Sequence, residues 1–424
     1  MRRMNTTMAP NGKINLYGTI KKEHSSLYSL GLLYLSASII FEFIDQFAFI
    51  RLLGINEVTQ ALLLSRLFVD ICFVAAALYF GINGNIFSGF TIGLFALLTA
   101  AGLTVGIINQ NEIIEIGKDV ALFILFLFKF AVFKQIFICS TDTRVFYNRL
   151  VKYCKYTLYV GILSLIIMYS LIQLGFLFYT QGISNLDWYL AYAVSTNKPF
   201  GAILGLAIAF LLAKRMVVLS CIVIFLFWFT SKFIRRNPIV FFISCISGVL
   251  IIIIFPFVSF DYEALNYAIR FDYTKILYDL QNFSIDALLQ VLMTLDTPRY
   301  LESMSALDEL EGTGFWLGGG FGFEYMDVYT EEIVTNAHFS PVGAITKFGI
   351  FGMLLFYSIF VYGAAKGLRK RHPIANICGY YLLATIFGSL LAWKFFLSSP
   401  LLPMALAAAI HCRGTEMRAQ AGVK

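Results

Sequence analysis

Charged side chains are scarce in this chain. They make up 13% of its 424 residues, where a soluble domain carries about a quarter. The remainder is 59% hydrophobic and 17% aromatic, which excludes an ordinary globular domain, and nucleic acid is not expected as a partner. Histidine is scarcer still. Its four copies stand apart at 24, 338, 372 and 411, so no His cluster can hold a metal. None of the seven cysteines forms a C-x-x-C pair, and the one long polar loop contains none, which argues against disulfides and a thiolate-bound metal. A P-loop, a Rossmann glycine fingerprint, H-E-x-x-H and a strict D-x-D are all missing, and with them the usual phosphate, dinucleotide and metal sites. Chemistry on this chain is expected to need neither metal nor cofactor.

What the chain has in excess is long apolar runs. "ILSLIIMYSLIQLGFLFY" and "VFFISCISGVLIIIIFPFV" reach the roughly 18 to 20 residues that cross a hydrocarbon core. The expected fold is an all-α polytopic transmembrane bundle of about 10–12 spans. The candidate spans are 27–44, 61–82, 86–108, 117–138, 157–179, 200–213, 216–230, 238–258, 341–365, 374–392 and 395–411. Residues 1–26 form a polar N-terminal tail, read as the flank of an uncleaved signal anchor. Helices follow over 27–258, a large acidic loop over 259–340, more helices over 341–411 and a tail over 412–424.

Charge is divided unevenly along this plan. Residues 259–340 hold fourteen Asp or Glu against Arg270, Lys275 and Arg299, a net of 3 − 14 = −11, so the rest of the chain carries 7 + 11 = +18. Lys and Arg mark cytoplasmic loops. By that rule the N-terminus, the segment 139–156, the turn 366–372 and the C-terminal tail are cytoplasmic. The loop 109–116, with Glu112 and Glu115 and no Lys or Arg, and the acidic loop then face out. One conflict stands. An odd number of crossings must join 139–156 to the outer loop, and the apolar runs supply four. Either one of 200–213 and 216–230 is re-entrant or a crossing is hidden, and the sidedness of "TSKFIRRN" (230–237) stays open.

Several residues could carry chemistry. His338 is the single histidine expected on the outer face, at a loop-to-helix junction, where a rigid scaffold commonly holds catalytic groups. Imidazole is the usual general base near neutral pH; the plainer alternative is a mouth-lining residue. The loop before it has glycines at 312, 314, 318, 319, 320 and 322, which let backbone approach a ligand closely. Arg299, a rare cation among acids, reads either as a salt bridge to Glu302 or as a fork for phosphate oxygens. "VSTNKPFGAILGL" places Lys198 at the outer end of a span, and "TSKFIRRNP" offers Lys232, Arg235 and Arg236, for which the plainer reading is topogenic charge after a span. "GAILG" (201–205) is a small-residue pattern suited to helix packing. Arg66 and Asp70, four apart within a span, read as an intramembrane ion pair. "SIDALLQVLMTL" puts Ile285, Leu288, Leu289 and Leu292 on one face of an amphipathic helix expected to pack on the outer mouth.

Taken in order, these stretches resemble the bacterial O-antigen polymerase and O-antigen ligase superfamily. "STNKPFGAILG" is similar to that family's Asn-Pro-Asn-like patch, and "FTSKFIRRNP" to its Ser-Arg motif, with Lys232 where the family has arginine. "PRYLESMSALDELEGTGFWLGGGFG" is similar to the family's outer-loop arginine followed by a glycine cluster. "NAHFSPVGAITKFGIFGMLLF" is similar to its Ala-His-Asn run into a span, with Phe339 where the Asn stands. The likeness covers roughly residues 190 to 365.

The resemblance implies a metal-independent, inverting glycosyltransferase in the bacterial inner membrane. It would move a glycan from undecaprenyl pyrophosphate to a sugar hydroxyl on the outer face. By the same likeness His338 and Arg299 are catalytic, the first at the acceptor hydroxyl and the second at the diphosphate. Lys198, Lys232, Arg235, Gly318, Gly320 and Gly322 bind substrate. Partners implied are the lipid-linked oligosaccharide, membrane lipids, and a chain-length regulator and flippase of the same route. Polymerase and ligase share this chemistry and differ in acceptor, another lipid-linked repeat or lipid A core. The abundance of Phe and Tyr, 43 and 23 copies, favours the polymerase. A flippase or transporter is a third reading, which predicts related halves with charges at the midplane; the sequence shows no internal repeat.

Overall fold

A computed structural model gives the architecture. It describes residues 16–46, 56–79, 89–139, 143–173, 186–211, 215–229, 297–310, 312–327, 331–335, 340–370, 372–391 and 401–412. The run 238–258, the amphipathic segment at 285–292, His338, Lys232 and Arg235 lie outside the described residues.

In chain order the helices are α1 (Leu16–Gln46), α2 (Asn56–Tyr79), α3 (Phe90–Ile108), α4 (Ile113–Cys139), α5 (Arg144–Gln173), α6 (Leu186–Ser195), α7 (Pro199–Leu211) and α8 (Arg215–Phe229). Then come α9 (Thr297–Asp308), α10 (Gly314–Leu317), a two-stranded antiparallel ribbon of β1 (Tyr325–Asp327) and β2 (Glu332–Val334), and α11 (Ser340–Arg369), α12 (Pro373–Leu391) and α13 (Leu402–His411). Four helical stretches, Phe90–Ile108, Ile113–Cys139, Arg144–Ile167 and Pro341–Arg369, are long and apolar enough to cross a membrane. This is a mostly helical protein suited to a membrane.

The bundle is built round α12 and α4. α12 packs on α6, α8, α11 and α13, and α4 on α1, α2, α3 and α13. α12 is buried on nearly every side, as expected of a helix that is apolar all round. α13, "LPMALAAAIH", has small residues that let α4, α11 and α12 close on it, and all nine residues from Leu402 to Ile410 are buried. Its last turn leaves carbonyls without helical partners; Lys370 Nζ donates to one of them, Ile410 O, at 2.6 Å.

Two ends of the bundle can be told apart. At one, the turn after α3 holds the glycine-rich segment 318–322: Asn109 and Asn111 both donate to Gly319 O, at 3.0 and 2.9 Å. At the other, Thr143 before α5 bonds His372 before α12 at 3.2 Å, with Lys366, Arg369 and Lys370 close by in the chain. Among the described residues, the acidic segments 109–116 and 318–327 therefore share one end, and the basic stretches at the start of α5 and the end of α11 the other.

The sequence misses α6. Its ten residues are too polar at their start, with Asp187 and Trp188, to read as a span. They fold into a helix of about 15 Å at 1.5 Å per residue, half a hydrocarbon core. α6 runs against α5. Its Leu186 lies over Gly161, and Trp188 reaches back to Tyr153, their rings 5.8 Å apart. Trp188 also stacks on Tyr381 of α12, with centroids 3.7 Å apart. A tight turn through Asn197 (φ 60) sends α7 back along α6, where Tyr189 covers Gly201 and Gly205. The "GAILG" pattern thus serves helix packing. α8 then runs antiparallel to α12: Ser220 bonds Ala384 O at 3.0 Å, and Phe227 meets Tyr380 nearer the basic end.

Candidate functional site

Among the described residues, the glycine segment is the loop most tightly held by neighbouring backbone. Phe321 is its anchor. The ring is wholly buried among Phe123 of α4 and Phe348 of α11, with centroids at 5.1 and 5.5 Å. Its N–H donates to Gly102 O at 2.9 Å, and its backbone lies directly on Gly106. Gly102 and Gly106, four apart on α3, form a groove that only hydrogen side chains leave open. On the other side Gly319 N–H donates to Thr346 O of α11 at 2.6 Å.

Helix α11 yields to make room. Gly349 leaves the helical region (φ 66, ψ 179) and faces the backbone of Trp316 in α10. That positive-φ, extended-ψ region is essentially confined to glycine and costs another residue roughly 1–3 kcal/mol. Trp316 then stacks on Phe351 two residues later, their centroids 5.5 Å apart.

A buried charge pair joins the pieces. Lys347 of α11 meets the carboxylate of Asp119 in α4, and both residues are 4% exposed. Gly322 N–H donates to the same carboxylate oxygen at 2.9 Å. Asp119 therefore ties α4, α11 and the glycine segment at one atom. Above it, Glu112, Glu115 and Glu324 crowd together. Partial burial, with the Glu112 carboxylate second, holds the Glu324 carboxyl above its ordinary value.

Beside this lies a second, smaller core. Ala306 of α9, Tyr325 of β1 and Val342 of α11 are buried together. Tyr325 donates its hydroxyl to Glu302 at 2.9 Å, and Met326 N–H donates to Glu309 at 2.9 Å. Burial and the Glu302 carboxylate push the Tyr325 hydroxyl upward. Glu302, the expected salt-bridge partner of Arg299, thus spends part of its capacity on Tyr325.

The predicted site residues fare differently. Arg299 lies in the first turn of α9, whose later turns join the small core. His338 falls outside the described residues, two positions before α11 begins. Gly318, Gly320 and Gly322 are buried, and the close backbone approach expected of them is made by the protein itself, to α11, α3 and α4 respectively. Lys198 is not where the sequence suggested. Its Nζ donates to the Tyr192 hydroxyl at 2.9 Å, at the turn between α6 and α7, and α7 packs on α5. That is the end where α5 begins and not the end that holds the glycine segment, because α6 reverses the chain before Lys198. Asp70, read from the sequence as the partner of Arg66, takes Lys129 Nζ at 2.7 Å and the Tyr34 hydroxyl, reaching across to α4 and α1.

Asp119 and Lys347 were missed. Their signal was present: a lone Lys in "GAITKFGIFG" and a lone Asp in "GKDVALFIL", charges inside spans that are expensive and so presumed to have a use. "GLTVG" at 102–106 was equally legible as a close-packing pattern. In comparison with known proteins the chain matches no family model, no curated protein and no solved structure.

Proposed function

We propose that the protein polymerises a polysaccharide by moving a glycan from a polyprenyl diphosphate donor to a hydroxyl of a second lipid-linked repeat. One observation carries this reading. The small core of Ala306, Tyr325 and Val342 holds the helix bearing Arg299 against the helix that His338 leads into. A cation for the leaving diphosphate and an imidazole for the acceptor thus belong to two elements packed on each other, beside a rigidly seated glycine segment. In this reaction the acceptor oxygen bonds the anomeric carbon while the bond from that carbon to the diphosphate oxygen breaks. His338 receives the hydroxyl proton, and Arg299 neutralises charge growing on the diphosphate.

The topology we propose puts the acidic end outside and the basic end in the cytoplasm, following the distribution of Lys and Arg. α6 then supplies the missing crossing. α5, α6, α7, α8 and the run 238–258 make five passages, an odd number, and residues 230–237 return to the cytoplasmic side. Lys198, Lys232 and Arg235 accordingly leave the proposed diphosphate site, and Arg299 remains its cation. The site faces the outer leaflet of a bacterial inner membrane, which the lipid donor requires.

A gel of surface glycan from a deletion strain tests the activity. Loss of long chains with one repeat retained supports a polymerase. Loss of all attached glycan points to a ligase acting on lipid A core, and unchanged banding rejects both. Transport of the lipid-linked glycan is the second reading, favoured by the buried Asp70–Lys129 pair inside the bundle. Detergent-solubilised protein that lengthens a lipid-linked repeat, where no vectorial movement exists, removes transport as the sole activity.

A further inference from the structure

We infer that Asp119 and Lys347 act as one positioning unit, a charge latch that fixes the glycine segment and the kinked end of α11 relative to each other. The link to catalysis rests on the proposed transferase activity; the latch itself does not. The Asp119 oxygen that accepts from Lys347 also accepts from Gly322 N–H, at 2.9 Å. Lys347 lies between Thr346, whose carbonyl holds Gly319 N–H at 2.6 Å, and Phe348, whose ring packs on Phe321. Two residues further on, Gly349 faces Trp316. The contacts of α11 with the glycine segment and α10 named above thus fall within Thr346–Phe351, the ion pair among them.

The remaining contacts are neutral and individually weak: three amide bonds from Asn109 and Asn111, and one from Phe321 to Gly102. The ion pair differs in kind. A charge left alone in a buried site is far more costly than the pair, and removing both charges together is often tolerated. If the pair is a latch, either single loss should free the segment and the double loss should seat it again. If it merely fills space, the losses should add.

The consequence reaches the reaction through α11. Val342 in its first turn belongs to the small core with α9, and His338 precedes that turn in the chain. A loosened latch lets the stretch from Ser340 to Gly349 move as a unit, misplacing the acceptor-side residue without removing it. The effect should fall on turnover more than on donor affinity.

Hydrogen exchange of the full-length protein in detergent reads the latch directly. In Asp119→Asn and in Lys347→Met, exchange of the amides over 318–322 should accelerate at least about a hundredfold, the scale of an uncompensated buried charge. Asp119→Asn/Lys347→Met, which keeps an oxygen for Gly322 and leaves no lone charge, should recover most of the protection. Asn109→Ala, a neutral loss, should accelerate exchange only a few-fold. Should the single variants fail to fold, the double variant still decides: fast exchange there, or unchanged exchange in folded single variants, overturns the latch. With a lipid-linked repeat as substrate, the single variants should lower kcat with little change in KM, and the double should restore it. Faster exchange with kcat unchanged overturns the positioning role alone. A wild-type protein with no transfer at all overturns the proposed activity, and exchange then judges the latch by itself.

Discussion

Gly320 and Gly349 hold positive φ with another stretch of backbone standing where a side chain would be. Backbone cannot give way as a flexible side chain can. Gly320→Ala or Gly349→Ala should therefore cost roughly 2–4 kcal/mol, combining left-handed strain with displacement of α3 or α10. Gly93→Ala and Gly117→Ala, where a methyl meets open space within a helix, should be neutral to slightly stabilising in the same detergent melt. Equal melting temperatures for all four would contradict the seating of the loop. For the proposed chemistry, His338→Ala should lower turnover by about 10² to 10⁴, the usual share of general acid–base help. Arg299→Lys should also lose activity, because a point charge does not replace a two-pronged fork; normal chain length in a well-expressed Arg299→Ala strain rejects its role. Glu324 gives a pH test. A carboxyl held above its ordinary value binds its proton more tightly in the docked turn than in an open one. Its help is thus present below the carboxylate range and lost as pH rises through it. Glu324→Gln should raise the melting temperature slightly at pH 7 to 8 and give no gain at pH 4. An equal gain at both values would refute the like-charge account.

At the scale of elements, α6 decides the path of the chain. It is ten residues long, too short and too polar at its start for an apolar-run search to find, yet nine of its residues are buried. Its stability comes from packing: Trp188 between Tyr153 and Tyr381, and Tyr189 on two glycines of α7. Because α6 reverses direction, the turn at Lys198 and the C-terminal end of α8 lie at the basic end. Reporter fusions check this. A cytoplasmic reporter joined after residue 197 or after residue 233 should be active, and alkaline phosphatase joined after residue 300 should be active. Active phosphatase at residue 197 would return Lys198 to the outer end and remove α6 as a passage.

In the whole molecule, the sequence and the tertiary structure divide the work along a physical line. Hydrophobicity is a sum over a run of residues, so the long helices were legible: α3, α4, α11 and α12 begin and end within a few residues of the apolar runs that predict them. α5 begins thirteen residues before its run, because Arg144 to Tyr156 continue the helix with polar side chains. Charge is also a sum, and the grouping of acidic and basic segments at opposite ends follows from it. The glycine cluster announced a close approach of backbone to something. Its composition could not say to what, since a glycine fits a ligand and a facing helix equally well. That choice is made by Gly102, Gly106 and Gly349, more than 200 residues away at one extreme and 29 at the other, counted from Gly320. The same holds for Asp119 and Lys347, separated by 228 positions. Each is an isolated charge in an apolar run until folding brings them together. The sequence by itself determined a helical bundle suited to a membrane and the division of its segments into acidic and basic ones. Only the tertiary structure decided which charges pair, where the chain turns back at α6, and that the glycines are filled by neighbouring helices. Those outcomes depend on contacts between distant residues, which no local sum contains.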